Sequence, residues 1–109
     1  MKDLITSNLP VKIIDLIERI ENRSDPPMLF GSRKYFTDRA RICFKNGYQL
    51  SIVRGSFTYG YEDGLFEIAP IDKDGYMDGG LLNIDGDDVE GWLTKEDVIS
   101  KIIEMANKT

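Results

Sequence analysis

Ala40-Arg41-Ile42-Cys43-Phe44-Lys45-Asn46-Gly47-Tyr48-Gln49-Leu50-Ser51-Ile52 decides the fold. Apolar and polar residues alternate on both sides of Asn46-Gly47, the pattern of two strands joined by a tight turn. Loop length sets which side chains share a face. A two-residue loop would set Phe44 against Gln49 and Ile42 against Ser51, mixing apolar with polar. A three-residue loop, Lys45-Asn46-Gly47 with glycine in the left-handed position, sets Phe44 against Tyr48, Ile42 against Leu50 and Ala40 against Ile52. A one-residue slip turns a strand over, and only the second register gathers one apolar face, so it is the one expected. Arg39, Arg41 and Lys45 then point away from the core beside Gln49 and Ser51.

Before the hairpin, Leu9, Ile13, Leu16, Ile17 and Ile20 recur at helical spacing, with Lys12, Asp15, Glu18 and Arg19 on the other face. Ser7 or Asn8 suits the cap and Pro10 the first turn. Asp25-Pro26-Pro27 would end this helix, since proline disfavours helix in the residue before it. After the hairpin, residues 55–64 read as a loop or irregular hairpin. Residues 65–71 read as a third strand, with Phe66 and Ile68 inward, Glu67 outward and Pro70 at its end or at an edge. Asp74-Gly75 turns the chain into a glycine-broken fourth strand over 76–84, residues 85–88 loop, and 89–93 bring the chain back. Thr94 opens a last helix, with Asp97 at capping-box spacing and Val98, Ile99, Ile102, Ile103 and Ala106 as its apolar stripe. The expected architecture is α+β in two layers: an N-terminal helix, an antiparallel sheet of about four strands and a C-terminal helix, in a single domain over 1–109.

Hydrophobic residues make up 41% of the chain and charged ones 30%, the balance of an ordinary soluble globular protein. No apolar run approaches a membrane span, and the first residues lack a signal-peptide stretch, so a cytoplasmic protein without membrane contact is expected. Cys43 is alone, which excludes an internal disulfide. Charge is segregated. Residues 1–54 hold ten Lys/Arg against six Asp/Glu, a balance of +4, whereas 55–109 hold four against thirteen, a balance of −9. Asp72, Asp74, Asp78, Asp85, Asp87, Asp88 and Glu90 fall in one short stretch with only Lys73 to offset them. Such a field selects partners and association rates before contact is made.

Few catalytic chemistries are open to these residues. The chain has no histidine, which removes the commonest general base and every His-dependent triad. Cys43, in mid-strand, reads as a packed thiol. The glycines at 55, 60 and 64 are not followed by Gly-Lys-Ser/Thr, so they form no phosphate-binding loop. Asp72-Lys73-Asp74-Gly75 matches the third, fifth and sixth places of an EF-hand loop, but the first would be Pro70 and the twelfth Leu81, neither a side-chain ligand. The frame on Asn83, Asp85 and Asp87 places Asp88 where glycine is required. No metal, cofactor or catalytic residue is therefore expected, and the chain is read as a non-enzyme. Arg33, Lys34, Arg39, Arg41 and Lys45, with Tyr35 and Phe36 between them, would suit a phosphate backbone, but a pI of about 4.7 argues against nucleic acid as the partner.

The sharpest positive feature is aromatic. Ser56-Phe57-Thr58-Tyr59-Gly60-Tyr61 sets Phe57, Tyr59 and Tyr61 on one side of an extended segment, and Trp92 stands near Asp87, Asp88 and Glu90. Tyr and Trp dominate interface energetics, and acids around them supply a steering field. A continued sheet face packed on a helix is the competing reading of the same aromatics. Residues 48–55, Tyr59-Gly60, Leu65-Phe66-Glu67-Ile68-Ala69 and Asp87-Asp88-Val89-Glu90-Gly91-Trp92-Leu93-Thr94 together resemble small uncharacterised accessory proteins of tailed phages and prophages. The resemblance covers roughly residues 40–105 and implies a context, with no functional residue to carry over. Such proteins often bind and block host proteins, including nucleases and other defence factors such as CRISPR effectors, some by presenting carboxylates where phosphates would sit.

The leading expectation is thus a non-enzymatic, phage-type inhibitor or modulator of a host protein with a basic surface. Asp72, Asp74, Asp78, Asp85, Asp87, Asp88 and Glu90 would meet Lys and Arg, while Tyr59, Tyr61 and Trp92 anchor. A small-ligand or cation-binding module using the same acidic loops and the glycine-rich segment 55–64 is the alternative. A third reading is a homo-oligomer, in which the basic strand face of one copy meets the acidic half of the next.

Overall fold

The computed structural model describes residues 1–30, 33–55 and 64–109, with side chains given for all of these except 24–30 and 33–36. Two short helices, α1 (Lys2–Thr6) and α2 (Val11–Ile14), lead into strands β1 (Ile17–Phe30), β2 (Arg33–Phe44), β3 (Gln49–Gly55), β4 (Phe66–Ile71) and β5 (Glu90–Leu93), and helix α3 (Lys95–Ala106) follows. The strands form an antiparallel meander in the order β1-β2-β3-β4-β5. The fold is α+β.

The central hairpin takes the register its alternation requires. Ile42 pairs with Leu50 and Ala40 with Ile52, and the Phe44 N–H donates to the Tyr48 carbonyl at 2.9 Å. Gly47 closes the turn at φ +94°, a conformation a side chain would strain. Ala40, Ile42, Phe44, Leu50, Ile52, Phe66 and Ile68 all face one side. There they meet Ile5, Leu9 and Ile13 from the N-terminal segment and Val98, Ile102, Met105 and Ala106 from α3. Burying an aliphatic or aromatic side chain of this size contributes about 1.5–3 kcal/mol, so this single layer carries most of the stabilisation. Among the described residues no helix covers the other face of the sheet.

The N-terminal helix expected through Ile20 is replaced by α2, one turn long, and a strand. The reason is a β-bulge. Ile17 pairs with Phe44 and Ile20 with Ile42, so three residues on β1 span two on β2, with the register shift between Ile17 and Arg19. The extra residue turns the two-residue period of a strand into a three-residue spacing, which reads as helical. Asp25-Pro26-Pro27 does not end a helix either. Both prolines lie in a second register shift, between Asp25 and Met28, on a strand that is at the edge among the described strands. That is where a missing N–H costs least, and prolines there blunt an otherwise long exposed edge.

The fourth strand expected over 76–84 is also absent. One bridge joins Ile71 to Met77, after which Asp78 caps a 3₁₀ turn, Gly79–Leu82. Gly79 lies so close to the Asp87 carbonyl that any side chain would collide with it. The sheet has five strands because β1 and β5 each supply one. Pro70 sits beyond the reach of β5, and its carbonyl accepts from the Asp78 N–H at 3.0 Å. At the end of the chain the expected capping box is present: Thr94 Oγ1 accepts from the Asp97 N–H at 3.1 Å and Asp97 Oδ2 from the Thr94 N–H at 2.9 Å.

Candidate partner-binding surface

Between β4 and β5 the chain builds an acidic lobe, residues 72–90, and much of its shape comes from its own carboxylates. Asp72 Oδ1 accepts from the N–H groups of Asp74 and Tyr76, both at 2.9 Å, folding the turn around Gly75. Asp78 Oδ1 accepts from Gly80 at 3.0 Å, and Asp88 Oδ1 reaches back to the Gly79 N–H at 3.0 Å. Asp87 Oδ1 accepts from the Asp88 N–H at 2.7 Å. Aspartate suits such turns because its short side chain satisfies backbone donors that no ladder serves. Four of the seven acids therefore shape the lobe as well as charge it, which was not legible from their spacing.

Asp74, Asp78, Asp85, Asp87 and Asp88 are exposed, and Asp72 and Glu90 are half-buried. Among the described residues none of the seven forms an ion pair; the salt bridges present join other groups. Lys73, the cation among them, instead stands over the Tyr48 ring with its Nζ 5.1 Å from the centroid. No three Asp, Glu or Cys side chains converge to hold a metal ion among the described residues. Cys43 is buried within the sheet, and burial pushes its thiol up, with the charge of Arg19 opposing.

Of the three aromatic anchors expected from sequence, Tyr59 and Tyr61 lie outside the described residues. Trp92 is 61% exposed, and its backbone is left-handed at φ +60°. It belongs to a third bulge, where Glu90 to Leu93 on β5 spans only Ile68 to Phe66 on β4. A bulky residue at positive φ is a genuine outlier, held there by its surroundings. Two further apolar side chains were missed: Tyr76 is 71% and Met77 57% exposed. The strand expected over 76–84 would have half-buried them. The signal against that strand was Asp78-Gly79-Gly80, too rich in turn residues to continue it.

Comparison with protein-family models, with curated proteins and with solved structures finds no match to this chain. None of the described helices is long and apolar enough to cross a membrane.

Proposed function

We propose that the protein is a non-enzymatic binding module whose acidic lobe engages a basic surface on a partner protein. One observation carries this reading. Among the described residues the exposed large hydrophobic side chains are Val11, Tyr76, Met77 and Trp92, and three of these four lie within or beside the acidic segment. Apolar anchors surrounded by charge have the composition of an interface core with a polar rim. Carboxylates held by backbone N–H groups are already oriented, so little side-chain freedom is lost when they meet Lys or Arg. The strained Trp92 supports the same reading, since such strain gathers at ligand-contacting positions. The resemblance to phage accessory proteins supplies the class of partner: a host protein that itself binds nucleic acid, blocked by carboxylates in place of phosphates.

The test is capture from nuclease-treated bacterial lysate by the immobilised protein, followed by binding kinetics on the captured partner. Asp85, Asp87 and Asp88 changed together to Asn keep the acceptor oxygens that shape the lobe while removing three charges. The expected result is a near-stoichiometric partner whose on-rate falls with added salt and falls again in the triple variant. Unchanged affinity in that variant would remove the acidic lobe from the interface.

A further inference from the structure

We propose that the outer edge of β1 is a self-association surface, on which a second copy of this chain adds its own β1 antiparallel about a two-fold axis at Ile20. It is independent of the acidic-lobe reading. Backbone direction carries it first. The Phe44 N–H donates to the Tyr48 carbonyl, and bonding direction alternates along an antiparallel strand. Phe44, Ile42 and Ala40 therefore turn their backbone groups to β3, while Cys43 and Arg41 turn theirs to β1. The register sets Arg19 opposite Cys43 and Glu21 opposite Arg41, so these two bond inward, and Ile20 and Asn22 point their N–H and C=O groups outward. Among the described residues no strand or backbone group meets them there. The irregularity at Asp25-Pro26-Pro27 blunts only the far part of this edge.

The side chains choose the register. An axis at Ile20 sets Arg19 opposite Glu21 of the second copy, and Glu21 opposite its Arg19. These two charges already join within one chain, where Arg19 Nε donates to Glu21 Oε1 at 3.0 Å, and both side chains are exposed. Two such pairs side by side alternate in sign around a ring of four, and opposite charges across a strand pair stabilise it. On the other face Ile20, opposite Ile42 and partly buried against the core, meets Ile20 of the second copy, which extends the apolar layer from one sheet into the next. Moving the axis to Arg19 or to Glu21 sets like charges opposite each other. Moving it to Asn22 carries each strand toward the other's irregularity between Asp25 and Met28. Of these positions only Ile20 matches both faces. The paired stretch, residues 18–22 of each copy, is short, so the association is weak and reversible.

Sedimentation of the full chain over a concentration series tests the surface. A monomer–dimer equilibrium is expected, with nothing larger, because a two-fold pairing closes on itself. Arg19→Glu and Glu21→Arg should each weaken the dimer about tenfold or more, since each replaces two attractive pairs by two repulsive ones. Mixed in equal amounts, these two variants should pair with each other, because every charge then meets its opposite. Lys12→Glu, a charge reversal on the exposed side of α2, should leave the dimer unchanged. In the unmodified protein the Ile20 amide should exchange more slowly with solvent as concentration rises. A chain that stays monomeric up to about 1 mM would overturn the proposal. So would growth beyond the dimer, failure of the two variants to pair, or equal weakening by Lys12→Glu.

Discussion

Replacing Asn46 should cost far more than a turn residue on the protein surface normally does. Its amide nitrogen donates into the end of α3, lying 2.9 Å from the Met105 carbonyl, 3.0 Å from that of Lys108 and 3.3 Å from that of Ala106. Its Oδ1 accepts from the Tyr48 N–H at 3.0 Å. Two amide hydrogens cannot fully serve three carbonyls, so two donated bonds and one accepted bond are the fair count. At about 1 kcal/mol net for each, less what water recovers at a part-buried helix end, Asn46→Ala should lose about 2 kcal/mol. With 109 residues, the unfolding entropy is roughly 0.23 kcal/mol/K, so Tm should drop by about 9 °C.

Asn46→Asp sharpens the test. It keeps an acceptor for Tyr48 but aims a negative charge at those carbonyls and at the negative end of α3, a loss of about 1 kcal/mol that offsets the bond it keeps. It should therefore be about as stable as Asn46→Ala at neutral pH. Protonation would turn the new carboxyl into a donor to the same carbonyls, so Asn46→Asp should become the more stable of the two as pH falls below the carboxylate range. Urea denaturation followed by circular dichroism at neutral and acid pH measures both variants. An Asn46→Asp protein that gains nothing over Asn46→Ala as pH falls would refute the capping role.

Gly79→Ala should destabilise by about 1–3 kcal/mol, because its Cβ would meet the Asp87 backbone. Gly80→Ala, whose Cβ meets only Asp78 Oδ1 at 3.1 Å, should stay within about 0.5 kcal/mol of wild type; equal losses by denaturation would contradict this packing. Trp92→Gly should be more stable than Trp92→Ala by about 1 kcal/mol, since only glycine takes positive φ without strain; alanine proving the better tolerated would refute the left-handed assignment. The capping hydrogen bonds from Thr94 hold the Asp97 carboxyl below its ordinary range. Because the folded value is the lower one, its stabilisation is complete above the ordinary carboxylate range and is lost as pH falls through the folded value. Asp97→Asn should accordingly flatten the acid limb of a Tm-against-pH curve, and an unchanged limb would count against the capping box.

What was legible in the sequence was local. The Asn46-Gly47 turn and its three-residue register could be read because alternation on both sides tests each loop length, and the neighbours lie within a few residues. Thr94 and Asp97 could be read because a capping box closes over three positions. The acidic stretch announced a charged segment, whereas the exposure of Trp92 beside it came only from the structure. Bulges defeated the same method elsewhere. An extra residue after Ile17 made a strand periodic like a helix, and a second irregularity let Asp25-Pro26-Pro27 pass along an edge.

The sequence by itself determined the α+β class, the hairpin register, the capped C-terminal helix and the segregation of charge, since each depends on neighbours along the chain. Only the tertiary structure decided that residues 17–30 are an edge strand, because pairing with β2 outweighs a weak helical preference. It alone turned Asp72, Asp78, Asp87 and Asp88 into the shapers of one lobe. It also drew the Asn46 amide to the end of a helix some sixty residues away. Side chains find such partners only when the core brings distant backbone groups within hydrogen-bond reach, and no spacing along the chain records that distance.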